Sequence, residues 1–249
     1  MDCSQLYIST VSAGCDETAA RYGLGLEIAE YCTAANLDAP IPEVVTAAQC
    51  HRQAAERFVF HAPFNELCPA AIDPLAVSLA RHRYAQALAA ARDWGCRLLV
   101  IHTGFIPWVY YPEWFVEKSV EFWREFLPQV PEGMVLCLEN VMEPSPQIPV
   151  DIIRQVDDPR LRLCLDVGHV NCYSSLPASQ WMAQWGDALS HLHLHNNDAS
   201  VDSHGGLSRG SLPMEEIIRG IAPHMTATLE LIEIGDSVHW LKENGLLKA

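Results

Sequence analysis

The chain has 249 residues, 49% of them hydrophobic, and a formal net charge of −15 with histidine neutral. Length and composition indicate a folded core of the size of one α/β barrel, and they exclude disordered, collagen-like and coiled-coil chains. The acidic balance argues against nucleic acid as a partner, because phosphate neutralisation supplies most of the affinity of DNA and RNA binders. We expect a cytoplasmic protein without membrane contact, since the chain shows neither a membrane-length apolar run nor a signal-peptide pattern.

Eight short strand-like runs alternate with segments of helical pattern. In chain order they are Leu6–Thr10, Gly25–Ala29, Phe58–His61, Leu98–His102, Val135–Glu139, Arg162–Asp166, Leu189–His195 and Ala227–Leu231. After the third run, Asp73 and Pro74 indicate the start of a helix. Helical spacing of apolar residues recurs over 115–126 and 214–221. This alternation predicts an α/β fold, a single (β/α)8 TIM barrel covering residues 1–249 as one domain.

The nine cysteines are odd in number and form no Cys-x-x-Cys pair. This pattern argues against a disulfide framework and against a thiolate zinc site. Cys137 and Cys164 lie within apolar runs, and we expect them to be small buried residues of the core.

Ionisable side chains stand at the ends of six consecutive predicted strands, where such a barrel carries its active site. From strand three to strand eight they are His61, His102, Glu139, Asp166, His195 and Glu230. The runs before them are apolar, so these groups would lose solvation unless they were paired or bound to a cation. One buried histidine is usually a hydrogen-bonded core residue, but six strands ending in this way predict a shared metal site.

The ligand types narrow the choice of metal, because imidazole nitrogen and carboxylate oxygen suit zinc, manganese, iron or cobalt. The residues that we expect around one cation at the barrel axis are Glu139, Asp166, His195 and Glu230. Period-two alternation places His191 and His193 on the same face as His195. Both lie deeper in the barrel, where they either support the ligands or belong to the core.

Six segments carry a resemblance to a known superfamily. They are His61-Ala62-Pro63-Phe64, His102-Thr103-Gly104, Leu138-Glu139-Asn140-Val141, Leu165-Asp166-Val167-Gly168-His169, His193-Leu194-His195-Asn196-Asn197-Asp198 and Leu229-Glu230-Leu231. Together they resemble the xylose isomerase-like, or endonuclease IV-like, TIM barrels, which include sugar isomerases, sugar epimerases and apurinic endonucleases. The resemblance covers nearly the whole chain and is strongest over residues 58–231.

The two branches of that superfamily imply different uses of these positions. The epimerase branch implies one cation, usually manganese, on the four axial ligands. It also implies that Glu139 and Glu230 move protons on opposite faces of a ketose, while His169 binds a substrate oxygen. The endonuclease IV branch implies three zinc ions. Their ligands would be His61, His102 and Glu139 for the first, Glu139, Asp166, His195 and Glu230 for the second, and His169, Asp202 and His204 for the third.

The pair Asp202 and His204 is the sharpest of these features, because a single-metal epimerase does not need it; the alternative is a polar surface loop. The endonucleases usually continue Leu-Gly-Glu-Gly, whereas this chain reads Leu207-Ser208-Arg209-Gly210 and lacks evident DNA-wedging loops. Arg209 is our candidate for the substrate-binding arginine of the epimerases. We also assign substrate binding to Glu27 and to Trp108, with plain loop packing an equal alternative for Trp108.

Three functions stay open on the sequence alone. The first is a divalent-metal-dependent isomerase or epimerase of a sugar or sugar phosphate, using metal-bound enediol chemistry with Glu139 or Glu230 as proton shuttle. The second is a multi-zinc phosphoesterase of the endonuclease IV type, with a small phosphoester favoured over DNA. The third is a non-catalytic barrel that binds a sugar or retains metal. We expect about one to three zinc or manganese ions per chain, and the sequence leaves the oligomeric state open.

Overall fold

The computed structural model describes residues 1–248 and forms a closed barrel of eight parallel strands in chain order. The strands are β1 (Leu6–Ser9), β2 (Gly25–Ile28), β3 (Phe58–His61), β4 (Leu98–His102), β5 (Val135–Glu139), β6 (Leu161–Asp166), β7 (Leu189–Leu194) and β8 (Thr226–Leu229). The barrel closes where β1 pairs with β8, with Leu6 opposite Ala227. The predicted (β/α)8 fold is therefore confirmed.

Helices connect the strands and cover the outside of the barrel. They are α1 (Cys15–Tyr22), α2 (Ala35–Asp38), α3 (Pro42–Ala54), α4 (Pro74–Asp93), α5 (Pro112–Phe126), α6 (Gln147–Val156), α7 (Val167–Tyr173), α8 (Ala178–Trp185), α9 (Met214–Arg219) and α10 (Ser237–Glu243). Asp73 caps α4 as predicted, because its side chain accepts from the Leu75 backbone N–H at 2.8 Å. Within residues 1–248 no helix is both long and apolar enough to cross a membrane.

Several strands end earlier than the sequence predicted. β7 stops at Leu194 and β8 at Leu229, so His195 and Glu230 lie just beyond their strands. The Glu230 N–H still donates to the Leu194 carbonyl, at 3.3 Å, before the chain turns into its loop. Both side chains therefore leave the barrel wall at its rim, where they can approach one another.

The interior of the barrel changes from apolar to ionisable along the strands. Val59, Val100, Cys137 and Cys164 form a small buried cluster, so both cysteines are the core residues that we predicted. In each of β3 to β6, the residue two positions further along is a histidine or carboxylate that ends the strand. Because alternate residues of a strand face the same side, these ionisable groups project inward at the carboxyl-terminal rim.

Candidate metal centre

Side chains from β3, β4 and β5 meet at this rim around one carboxylate. Glu139 Oε2 lies 3.2 Å from His61 Nε2 and 3.3 Å from His102 Nε2. His102 and Glu139 are direct neighbours across the β4–β5 pair. Register thus places His102 beside Glu139, and His61, which lies opposite Val100 on β4, reaches the same carboxylate from β3.

The segment Asp166-Val167-Gly168-His169 performs three tasks at the β6–α7 junction. Asp166 accepts a hydrogen bond from the His169 backbone N–H at 2.7 Å, which caps α7. Both carboxylate oxygens of Asp166 also lie 3.0 Å from His195 Nε2. Gly168 leaves room for that ring, since a Cβ there would lie 1.9 Å from His195 Cε1. The glycine is thus required by close approach rather than by backbone conformation.

The loop after β7 adds a further carboxylate above the rim. Asp202 Oδ2 lies 3.2 Å from His169 Nε2 and 3.2 Å from His204 Nε2. His204 Nδ1 donates to the Glu230 carbonyl oxygen at 2.9 Å, which leaves Nε2 to face Asp202. The donor atoms of His169, Asp202 and His204 lie within 4.8 Å of one another.

All nine residues predicted as metal ligands therefore belong to one connected group, which we call the mouth cluster. Its members are His61, His102, Glu139, Asp166, His169, His195, Asp202, His204 and Glu230. Glu230 joins it through His195 and His204, whose donor atoms lie within 4.8 Å of its carboxylate. His169 links the two halves, with Nδ1 at 3.6 Å from Glu139 Oε1.

The geometry of the mouth cluster fits a bound cation better than direct pairing. Asp202 lies 3.2 Å from two histidines, yet neither contact has hydrogen-bond geometry, nor has the 3.3 Å contact of His102 with Glu139. Among the described residues, Asp202 Oδ1 and His195 Nδ1 are buried without a hydrogen-bond partner, although they lie 3.6 Å from each other. Tetrahedral ligands of one zinc ion lie about 3.3 Å apart and point past each other toward the ion. The residues present thus suit a divalent cation.

Opposite charges hold the cluster in its ionised form. Burial would raise the pKa of Glu139 and Asp166, but nearby histidines outweigh it and bring the pKa of Asp166 to about 2. Burial would lower the pKa of His169, yet Asp166 and Asp202 keep that pKa well above its usual value. Burial would also lower the pKa of His204, but the neighbouring Asp202 outweighs burial and raises that pKa to about 9. Protonated imidazoles therefore balance the carboxylates where no cation does.

A buried chain of side chains supports the cluster from below. Thr228 Oγ1 donates to Glu27 Oε2 at 2.6 Å, and His191 Nε2 lies 3.2 Å from the same oxygen. His193 Nε2 lies 3.1 Å from Glu27 Oε1, while its Nδ1 lies 3.0 Å from Glu230 Oε2. His193 thus stands between the deep carboxylate and a predicted ligand. The structure places both histidines in the deeper position that the alternation predicted.

A cavity of about 600 Å³, the mouth cavity, opens directly above the ligands. Of the three predicted substrate-binding residues, none lines it. Glu27 is fully buried beneath the rim, where it contacts histidines. The Trp108 side chain is fully exposed in the β4–α5 loop. Arg209 lines a separate cavity with Ile232. The positions of Trp108 and Arg209 depend on the conformation of their loops, and the spacing of residues in the sequence does not reveal that conformation.

Sequence reasoning missed Glu143, which braces the loop after β5. Its carboxyl accepts hydrogen bonds from the Thr103 hydroxyl and, at 2.6 Å, from the Val141 N–H. Burial raises the pKa of Glu143 to about 7. The Glu143 carboxyl thus links the loop after β4 to the loop after β5 by hydrogen bonds, beside the mouth cavity. Its one sequence signal was an acidic residue four positions after Glu139, which by itself does not indicate burial.

Fold and ligand set together define the class: a parallel (β/α)8 barrel that gathers histidines and carboxylates at its carboxyl-terminal rim. The chain belongs to the xylose isomerase-like TIM barrel family, whose model matches residues 18–243.

Solved structures agree with this fold. The TTHB071 protein of Thermus thermophilus, in a structure soaked with ZnCl2, has a TM-score of 0.76 and 24% identity, with 97% of each chain covered. A D-tagatose 3-epimerase-like protein also has a TM-score of 0.76, with 22% identity and 96% of each chain covered. D-Psicose 3-epimerase from Clostridium cellulolyticum H10, solved with D-tagatose, has a TM-score of 0.68 and 21% identity over 90% of this chain and 83% of that one.

A curated relative, an uncharacterized protein of Methanocaldococcus jannaschii, is 25% identical over 171 residues. The match covers 64% of this chain and 58% of the relative, so less than two thirds of the relative's length is represented here.

Proposed function

We propose that this protein is a divalent-metal-dependent isomerase or epimerase of a small sugar. One observation carries the proposal: the carboxylates of Glu139 and Glu230, three strands apart around the barrel, both lie close to His193 Nδ1. Glu139 Oε1 lies 3.3 Å and Glu230 Oε2 lies 3.0 Å from His193 Nδ1. Two carboxylates so close together beside a cation site suit proton transfer to and from a carbon next to a carbonyl group.

The four axial residues would hold the principal cation, as zinc or manganese. They are Glu139, Asp166, His195 and Glu230. When bound, the cation polarises a carbonyl oxygen and stabilises the negative charge that develops on it. The remaining members of the mouth cluster would hold up to about two further ions.

The side chains of the protein transfer the proton and bind the substrate. Glu139 or Glu230 accepts the proton and returns it, and the pKa of each stays below its usual value because nearby imidazoles outweigh burial. Either group is therefore an ionised base at neutral pH. Where no further ion is bound to it, His169 donates a hydrogen bond from Nε2 to a substrate oxygen, since it lines the mouth cavity and its Nδ1 is hydrogen-bonded to the Asn140 carbonyl oxygen. Similarity in fold to sugar epimerases is consistent with this role, although fold alone does not assign chemistry.

A second candidate is a multi-zinc phosphoesterase that acts on a small phosphoester. The trio of His169, Asp202 and His204 favours it, because their donor atoms already converge and a single-metal isomerase does not require them. Two or three close cations would activate water and neutralise a leaving oxygen in that reaction.

Solvent exchange separates the two candidates. Protein purified without chelator is analysed for metal, stripped, and reloaded with zinc or manganese. It is then assayed for deuterium incorporation into neutral ketoses and for cleavage of bis(p-nitrophenyl) phosphate. We expect metal-dependent exchange that falls at least about 100-fold in Glu230→Gln. The matched control is Glu233→Gln, an exposed residue three positions on. Phosphodiester cleavage without any ketose exchange would replace the first proposal by the second.

A further inference from the structure

The wall of the mouth cavity has two unlike halves. One half consists of mouth-cluster residues, among them His102, Asp202 and Glu230. The other half is mainly apolar, with Phe64, Leu67, Phe105, Ile106, Val141 and Met142; Asn65, Glu66, Cys68, Tyr110 and Tyr173 also line the cavity. A hydroxylated ligand finds partners at the first half. The second half offers mainly apolar contacts. The part of the ligand that lies away from the mouth cluster therefore adds most to binding if it is apolar.

The cavity also lacks the groups that recognise phosphate. Among residues 1–248, no lysine or arginine lines it, whereas proteins hold phosphate with such cations or with backbone N–H groups at helix ends. The charged residue on the apolar side is Glu66. A phosphate placed away from the metal ligands would therefore meet a carboxylate and apolar walls, with no positive side chain to replace its lost hydration.

The apolar surface continues outward over the rim. Ile106 lines the cavity and is still 47% exposed, and Trp108 stands fully exposed in the same loop. The Trp108 backbone adopts a positive φ of 68°, which non-glycine residues rarely adopt. Large exposed apolar side chains next to a cavity are typical of ligand-binding surfaces. A ligand with an apolar group at its outer end would extend across this rim.

Building on the proposed function, we propose that the substrate is an uncharged keto sugar or related polyol that carries an apolar substituent away from the reacting carbons. Its hydroxyl and carbonyl oxygens face the mouth cluster, and the substituent packs between Leu67, Ile106 and Met142. Sugar phosphates are excluded from this substrate class, because no lysine or arginine among residues 1–248 lines the cavity to pair with the phosphate.

A set of ketohexoses that differ only at C6 tests this assignment. The C6 group is a hydroxyl, a hydrogen (6-deoxy), a benzyloxy group or a phosphate. Dissociation constants are measured by calorimetry on zinc-loaded protein, and deuterium exchange is measured on the same compounds. We expect the benzyloxy sugar to bind about tenfold or more tightly than the parent, because hydrophobic pockets reward each added apolar group. The 6-deoxy sugar should lie between them, and the phosphate should bind most weakly.

Matched lysine variants locate the effect in the cavity. Ile106→Lys adds a positive charge to the apolar half, and Val45→Lys adds the same charge on α3, where Val45 is 45% exposed and outside the cavity. We expect Ile106→Lys to tighten binding of the 6-phosphate by about fivefold and to remove the benzyloxy advantage. Val45→Lys should change neither.

The result that overturns the assignment is tightest binding of the 6-phosphate by the unaltered protein, or equal binding of the benzyloxy and parent sugars. Such a result leaves the isomerase proposal intact if the bound sugars exchange deuterium. Absence of exchange from every ketose, with the predicted order of affinities, would instead remove the isomerase proposal and keep the assigned ligand class.

Discussion

Two groups of histidine and carboxylate side chains in this barrel use the same residue types in opposite ways. The outer cluster, made of Cys15, Asp16, Glu30 and His51, lies beside α1 and α3. There His51 Nδ1 donates to Asp16 at 2.6 Å and Nε2 donates to Glu30 at 2.7 Å. In the mouth cluster, the contacts of Asp202 with His169 and His204 and of His102 with Glu139, at 3.2–3.3 Å, lack hydrogen-bond geometry, and two buried polar atoms have no hydrogen-bond partner among the described residues.

This difference shows how geometry separates a structural ion pair from a candidate cation site. Both groups contain three donors within 4.8 Å, so proximity and residue type do not distinguish them. In the outer cluster each ring nitrogen of His51 has a carboxylate aligned to it, and a cation would have to break those bonds. In the mouth cluster the donors face a common space, and a cation would supply the interaction that they lack.

The largest expected effect comes from Asp166→Asn. Asparagine keeps the cap of α7 but removes a charged ligand from the mouth cluster. We expect zinc affinity, measured by competition with a chromophoric chelator, to fall at least about 100-fold. Asp16→Asn in the outer cluster is the control and should leave zinc affinity unchanged. Equal losses in the two variants would show that the clusters do not differ as described.

Gly168→Ala should come next in size. The added Cβ would lie 1.9 Å from the His195 ring, so the ring must move away from Asp166. We expect zinc affinity to fall by about 10- to 100-fold, even though alanine is the better helix former. Gly206→Ala, whose Cβ meets nothing closer than 3.4 Å, serves as the control. Unchanged affinity in Gly168→Ala would mean that His195 does not bind the cation.

Glu27→Gln tests the support beneath the cluster. The amide carries no charge to face His193, so His193 should hold Glu230 and Glu139 less firmly. We expect Glu27→Gln to lower zinc affinity about tenfold. If the negative charge is the cause, Glu27→Asp should lose much less affinity than Glu27→Gln. If Glu27→Gln binds zinc as the unaltered protein does, the buried chain serves only the packing of the core.

His51→Gln should have the smallest effect, and it should depend on pH. Burial lowers the pKa of His51, but Glu30 and Asp16 outweigh it and raise the pKa above its usual value. The resulting stability is complete below about pH 6.5 and is lost as pH rises through the raised pKa. Burial would raise the pKa of Glu30, but His51 outweighs burial and lowers it. The stability that Glu30 contributes is therefore lost as the pH falls through that lowered pKa.

In denaturant titrations we therefore expect His51→Gln to cost about 1.5 kcal/mol at pH 6 and clearly less at pH 10. His82→Gln, on the exposed side of α4, controls for the change of side chain. A cost that is the same at both pH values would contradict an ion-paired His51.

The sequence predicted the ends of β3 to β6 correctly because the signal there is local. An apolar run that closes with Glu139 or Asp166 marks both a strand and an inward-facing polar group, and parallel strands bring such groups to one rim. Trp108 and Arg209 depended on loop conformation, which apolar periodicity does not encode. Glu27 sits in a strand, but its depth along the barrel depends on strand stagger, and only the folded ring shows that it faces His193.

Anomalous diffraction from zinc-soaked crystals tests the central claim most directly, because it locates ions without assuming any reaction. We predict a zinc peak between Glu139, Asp166, His195 and Glu230, and none at Cys15, Asp16 and His51. A mouth without a peak, or zinc confined to the outer cluster, would contradict the account.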